Sequence, residues 1–66
     1  MTVTINGTLR SFDREMSVLE LLRLLDISSE GVAVALNGSV TPRKQHVHTM
    51  VQDEAIVEII RAVAGG

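Results

Sequence analysis

The 66-residue sequence contains no cysteine, no tryptophan and no tyrosine, and it has one proline and one aromatic residue, Phe12. Without cysteine there is no disulfide framework, no thiolate nucleophile and no cysteine-held metal. A single aromatic ring leaves no stacking platform for bases or sugars. Six Lys and Arg against eight Asp and Glu give a net charge of −2, without the basic stripe that nucleic acid requires. The longest apolar run, Val32-Ala33-Val34-Ala35-Leu36, is far too short to span a bilayer. Met1-Thr2 runs directly into a strand pattern, leaving no room for a signal peptide. These absences point to a soluble, cytoplasmic domain that is monomeric when free and binds neither nucleic acid nor membrane.

What is present is abundant Val, Ile and Leu with a charged minority, the composition of a folded protein. A chain of this length buries only about 60% of the surface that its unfolded form exposes, so its core is thin. Residues 2–5 alternate polar and apolar, which places Val3 and Ile5 inward on a strand. Asn6-Gly7 then forms a hairpin turn, since both positions accept positive φ. Residues 8–12 return, with Leu9 expected in the core. Asp13-Arg14-Glu15 is a solvated connector.

Ser17-Val18-Leu19-Glu20 fits a capping box and opens the one helix. Val18, Leu21, Leu22 and Leu25 form its apolar face, flanked by Leu19 and Leu24. Glu20 and Arg23 point to water and are spaced to pair across one turn. Two turns cannot sustain a coiled coil, so this stripe is expected to pack on the chain's own sheet. The polar stretch 26–31 ends the helix.

In the strand 32–36, Val32, Val34 and Leu36 should face the helix, with Ala33 and Ala35 on the open face. Asn37-Gly38 repeats the hairpin signal. Pro42 marks an edge because it donates no ladder bond. Residues 43–52 lack a period; Val47, Met50 and Val51 should seal one end of the core. The last strand, 56–61, puts Val57 and Ile59 on one face and Ile56, Glu58 and Ile60 on the other. Two hairpins on either side of one helix, followed by a final strand, give an α+β fold. Its four- to five-stranded mixed sheet carries the helix on one face. The uncovered face would hold Ala33, Ala35, Ile56 and Ile60 around Glu58, a shallow apolar patch of the kind that marks partner surfaces.

The folded domain spans residues 1–61, and 62–66 form a tail, Ala62-Val63-Ala64-Gly65-Gly66. Gly-Gly tolerates nearly any dihedral and has no side chains. Fully extended, the tail reaches on the order of 17 Å, enough to enter a buried site on a partner. His46 and His48 lack companion ligands and are expected at the surface, so no metal site is assigned. Asp53-Glu54 implies no pocket, because neighbouring strand residues point apart.

Val18-Leu19-Glu20-Leu21-Leu22, the run Val32 through Asn37-Gly38, Pro42-Arg43 and the terminal Val63-Ala64-Gly65-Gly66 together resemble the ThiS family. These are ubiquitin-like sulfur carriers of thiamine thiazole biosynthesis, and the resemblance covers essentially the whole chain. It implies a β-grasp fold with the first and last strands parallel at the centre of the sheet. It also implies that a ThiF-type adenylyltransferase uses ATP to activate the carboxylate of Gly66. Sulfur from a persulfide donor, such as a cysteine desulfurase, then yields a thiocarboxylate that serves a ThiG-type thiazole synthase. The carrier is then a cosubstrate and not an enzyme, and it binds no cofactor itself.

Docking would rest on Ile56, Glu58, Ile60 and Arg61, with Val63, Ala64 and Gly65 leading to the reacting Gly66. The chain departs from the family at two places. Glu54-Ala55 replaces the common Gly-Asp, so Ala55 is expected to reshape that turn. His46 stands where an aromatic is common, so lighter packing is expected there. Other readings of the same fold are a MoaD-like carrier for molybdopterin, a carrier for another sulfur-transfer pathway, a ubiquitin-like protein modifier and a plain interaction module.

Overall fold

A computed structural model describes residues 1–61. The proposed tail, with Val63, Ala64, Gly65 and Gly66, lies outside the described residues. Strands β1 (Thr2–Ile5) and β2 (Thr8–Ser11) form the first hairpin. A short strand β3 (Met16–Ser17) leads into helix α1 (Val18–Leu24). The second hairpin joins β4 (Val32–Leu36) to β5 (Ser39–Thr41). A 3₁₀ turn (Arg43–Gln45), strand β6 (Met50–Val51) and strand β7 (Ile56–Arg61) complete the described chain.

The main sheet has the order β2-β1-β7-β4-β5. β1 and β7 run parallel, with Thr4 opposite Ile56 and Ile5 opposite Val57, while the other pairs are antiparallel. β3 and β6 form a separate two-stranded ladder. This mixed sheet with one helix is the β-grasp architecture that the resemblance implies.

Both hairpins turn on two residues at positive φ, Asn6 (48°) with Gly7 (83°) and Asn37 (50°) with Gly38 (87°), as type I′ turns require. The first turn sets the register of β2, pairing Ile5 with Thr8 and Thr4 with Leu9. Cross-strand partners share a face, so Leu9 lies with Thr4 on the side away from the helix. The expectation of a core Leu9 is thereby overturned: it is 69% exposed.

The capping box forms as read. The Ser17 hydroxyl accepts from the Glu20 amide at 3.1 Å, and the Glu20 carboxylate accepts from the Ser17 amide at 3.2 Å. Glu20 does not pair with Arg23, because the cap turns its carboxylate back toward Arg14, whose guanidinium donates to it at 3.0 Å. The Ser17 amide first, and then Arg14, hold the Glu20 carboxyl below its ordinary value. The first two helical amides are met by the loop beneath, Val18 donating to the Thr49 carbonyl and Leu19 to the His46 carbonyl. Asp26, at φ 58°, closes the other end. The Ile27 amide donates to the Leu22 carbonyl and the Asp26 amide to that of Arg23, the Schellman pattern.

Val18, Leu21 and Leu22 from the helix meet Val3, Ile5, Val34, Val57 and Ile59 from the sheet. Leu25, Val32 and Leu36 pack at the margin of this core, while Leu24 is exposed. Fully burying each such side chain contributes on the order of 1.5–3 kcal/mol. Met16 and Val51, opposite one another in the β3–β6 ladder, close one end. Of Val47, Met50 and Val51, the residues expected to seal that end, only Val51 is buried. Adjacent residues of a strand face opposite ways, so β6 turns Met50 outward when Val51 points in.

The inward place next to Val47 is taken by His46, which is 2% exposed. The expectation of a surface His46 with light packing is therefore wrong. Its Nε2 lies 3.1 Å from the Thr41 carbonyl, which accepts the proton in that tautomer, and Nδ1 is buried without a partner. His48 is exposed as expected.

Candidate functional site

β7 is the central strand, and it carries the candidate site. It is held on one side by β4, from the Val32–Arg61 pair to the Leu36–Val57 pair. On the other side β1 ends at Ile5, and the Asn6 side chain continues the ladder in its place. Asn6 Oδ1 accepts from the Ile59 amide at 2.7 Å, and Nδ2 donates to the Ile59 carbonyl at 3.1 Å. The second turn clasps the start of the same strand. The Asn37 amide donates to the Ile56 carbonyl at 2.7 Å, and its Oδ1 accepts from the Ile56 amide at 2.8 Å. Both turn asparagines thus do two jobs: they adopt positive φ, and they fix the strand that leads toward residue 62.

Alternation along β7 sends Val57 and Ile59 into the core and Ile56, Glu58 and Ile60 to the open face. The β4 register places Ala35 opposite Glu58 and Ala33 opposite Ile60. The patch expected from the sequence is therefore assembled, with Ile56 57% and Ile60 58% exposed. Two residues that the sequence reading left out complete it. Leu9 joins through Thr4 and β2, and Val40 joins opposite Ala35. The signal for both lay in the two-residue turns, which fix these registers outright.

Arg61 does not join this patch. It pairs with Val32 and has the parity of Ile59, so it faces the helix side at the sheet's end. There it borders a shallow hollow with Asp26, Ile27, Ser28, Glu30 and Gly31. Arg43 pairs with Glu30 at 3.3 Å and lines a groove with Ala33 and Ile60 at one rim of the open face. At the opposite rim, Asp53 and Glu54 line a hollow with Thr4, Leu9 and Ile56. Asp53 and Glu54 lie in a turn and not on a strand; the Asp53 carboxylate accepts from the Thr2 amide at 2.7 Å. In that turn the positive φ, 68°, falls on Glu54, whereas Ala55 is buried in the core. The substitution that reshapes the turn's energetics is thus Glu54 and not Ala55.

Among the described residues no cluster of three His, Cys, Asp or Glu side chains is arranged to hold a metal ion. Likewise, no helix among them is long and apolar enough to cross a membrane. What the geometry offers is an apolar face on a firmly held strand whose last described residue is Arg61.

Comparison with known proteins agrees with this geometry. The ThiS family model matches residues 3–66. The protein ycf40 of Porphyra purpurea is 33% identical over 66 residues, covering all of this chain and 93% of that protein. The sulfur carrier protein ThiS of Escherichia coli K12 is 38% identical over 50 residues, 76% of each chain. The crystal structure of the thiamine biosynthesis protein ThiS from Geobacter metallireducens superposes with a TM-score of 0.89 at 36% identity, covering all of both chains. With a matched sequence, a matched length and a matched β-grasp sheet, the chain belongs to the ThiS family of ubiquitin-like sulfur carriers.

Proposed function

We propose that this chain carries sulfur for thiazole formation in thiamine biosynthesis, with the C-terminal carboxylate of Gly66 as its reacting group. The observation that carries this reading is the family match, which runs through the Gly65-Gly66 terminus. The match to the Geobacter crystal structure, which covers all of both chains, favours a ThiS-type role over a MoaD-like one, for which an extra segment before the tail would be expected.

The chemistry starts with a poor electrophile. Near neutral pH an α-carboxyl, with a reference pKa of about 3.3–3.7, is an anion that no sulfur nucleophile attacks. A ThiF-type adenylyltransferase brings it to ATP. A carboxylate oxygen attacks the α-phosphorus, pyrophosphate leaves, and an acyl-adenylate forms. Persulfide sulfur then attacks the acyl carbon, the C–O bond to phosphate breaks and AMP departs. The resulting acyl disulfide is cleaved by a further thiol, which leaves the thiocarboxylate on Gly66. That sulfur is the nucleophile offered to the thiazole synthase.

ATP, catalytic groups and any metal belong to the partners, so the chain is a cosubstrate and not an enzyme. Its own contribution is positional. Gly65 puts no side chain beside the reacting carbon, Val63 and Ala64 are narrow, and the body docks through Ile56, Glu58 and Ile60, with Arg61 at the root of the tail.

The test is direct. Incubated with ATP, a persulfide donor and the adenylyltransferase, the protein should gain the mass of one oxygen-to-sulfur exchange, mapping to Gly66. Deleting Gly66 should abolish the gain. An unchanged mass in the full chain, or sulfur found elsewhere, refutes the reading. Stable adducts on lysines of other proteins would favour a modifier instead.

A further inference from the structure

Glu58 is a lone charge in apolar surroundings. On β7 it lies between Ile56 and Ile60, and across the ladder it faces Ala35 with Val40 beyond. Among the described residues on the paired positions of this face it is the single charged side chain, and neither ion pair of the described structure involves it. The rim nearest Ile56 adds two more carboxylates, Asp53 and Glu54. At the other rim the guanidinium of Arg43 is engaged by Glu30.

Any partner that covers Ile56 and Ile60 also covers Glu58. Removing a carboxylate from water without a counter-charge costs several kcal/mol, enough to cancel the gain from the surrounding apolar contacts. The occupant must therefore bring a cation. A second copy of this chain is a poor candidate, because it offers a carboxylate at the same centre, two more at one rim, and at the other an arginine already paired with Glu30. Five residues span at most about 17 Å, so an enzyme engaging Gly66 must sit within that distance of Arg61, at this end of the sheet.

We propose that the adenylating partner buries an arginine against Glu58, among Ile56, Ile60, Ala35 and Val40, and that this pair sets the register of docking. A guanidinium fits better than an ammonium, because its planar fork meets both carboxylate oxygens at once. A shift of the partner along β7 by two residues brings its arginine onto Ile56 or Ile60 and leaves both charges buried and unpaired. The arrangement selects as much by what it penalises as by what it attracts. This inference rests on the sulfur-carrier reading above, which supplies the enzyme.

The experiment titrates the full chain with the ThiF-type adenylyltransferase of the same organism, using calorimetry. Glu58→Gln and Glu58→Arg are compared with the wild type and with Asp13→Asn, which removes one charge from the connector before β3. Both Glu58 variants should bind at least about 30-fold more weakly, as expected for truncating one partner of a buried charge pair, while Asp13→Asn stays within about threefold. Replacing the partner's arginine by glutamate should restore binding of Glu58→Arg. Glu58 is exposed, so thermal melts of the variants should match wild type and exclude misfolding as the cause. Wild-type-like affinity of Glu58→Gln overturns the inference and leaves the sulfur-carrier reading intact. A wild-type chain that neither binds nor becomes adenylated overturns the sulfur-carrier reading, and this inference with it.

Discussion

Replacing Asn6 by glycine tests the claim that a turn side chain, and not only strand pairing, holds the central strand. Glycine accepts the φ of 48° at this position, so the type I′ turn survives the change. What disappears is the pair of side-chain bonds to Ile59, at 2.7 and 3.1 Å. Each is worth roughly 0.5–1.5 kcal/mol net, so the loss is about 2 kcal/mol. In a domain of this size that corresponds to a melting point about 8–16 °C lower. Asn37→Gly is the internal control, since it also swaps a turn asparagine at positive φ but removes one side-chain bond, to the Ile56 amide at 2.8 Å. It keeps the backbone bond to the Ile56 carbonyl. Effects of glycine on the unfolded chain are common to both variants and cancel in the difference, leaving Asn6→Gly the worse by about 1 kcal/mol. Urea and thermal melts supply the stabilities, and amide exchange at Ile59 reports the site itself. If Asn6→Gly melts no lower than Asn37→Gly, or the Ile59 amide stays as protected as in wild type, the clasp contributes nothing and the reasoning fails.

Glu54→Gly should raise stability by roughly 1 kcal/mol, since it removes a side chain from a residue held at φ 68°; chemical denaturation would show the gain, and a loss would mean that the Glu54 side chain is needed. The folded state holds the Glu20 carboxyl below its ordinary value, so this group's contribution to stability is whole above that ordinary value. It fades as pH falls from the ordinary value to the lowered one. The stability gap between wild type and Glu20→Gln, followed by urea melts across acid pH, should therefore close as pH drops, and a gap that stays constant contradicts the assignment. His46→Ala should cost about 2–4 kcal/mol, because it empties a buried site and strips the Thr41 carbonyl of its partner. A change under about 0.5 kcal/mol, the usual range for surface substitutions, would place His46 at the surface after all.

Local chemistry was legible wherever a few adjacent residues decide the outcome. The two Asn-Gly turns, the Ser17–Glu20 cap and the alternation of Val57 and Ile59 against Ile56, Glu58 and Ile60 all formed as read. The parallel pairing of β1 with β7 has no local signal, since the two strands lie some fifty residues apart; the family resemblance alone suggested it. The outward place of Leu9 is not visible in β2's own pattern, because the two-residue turn ties its parity to β1. His46, Met16 and Met50 were obscure for another reason. Their stretches follow neither helical nor strand periodicity, because they fold around the helix start and take their orientation from it. In the candidate site, the open-face residues were readable and the orientation of Arg61 was not, since it hinges on where β7 ends relative to β4.

The parallel placement of β1 beside β7 also has a mechanical side. Tension applied at residue 61 runs along the middle strand, so bonds to both neighbours and both asparagine clasps resist together, in shear. Pulling across the strands would instead peel these bonds one at a time. Loaded along its own axis at Arg61, the central strand therefore resists extraction with all of these bonds at once.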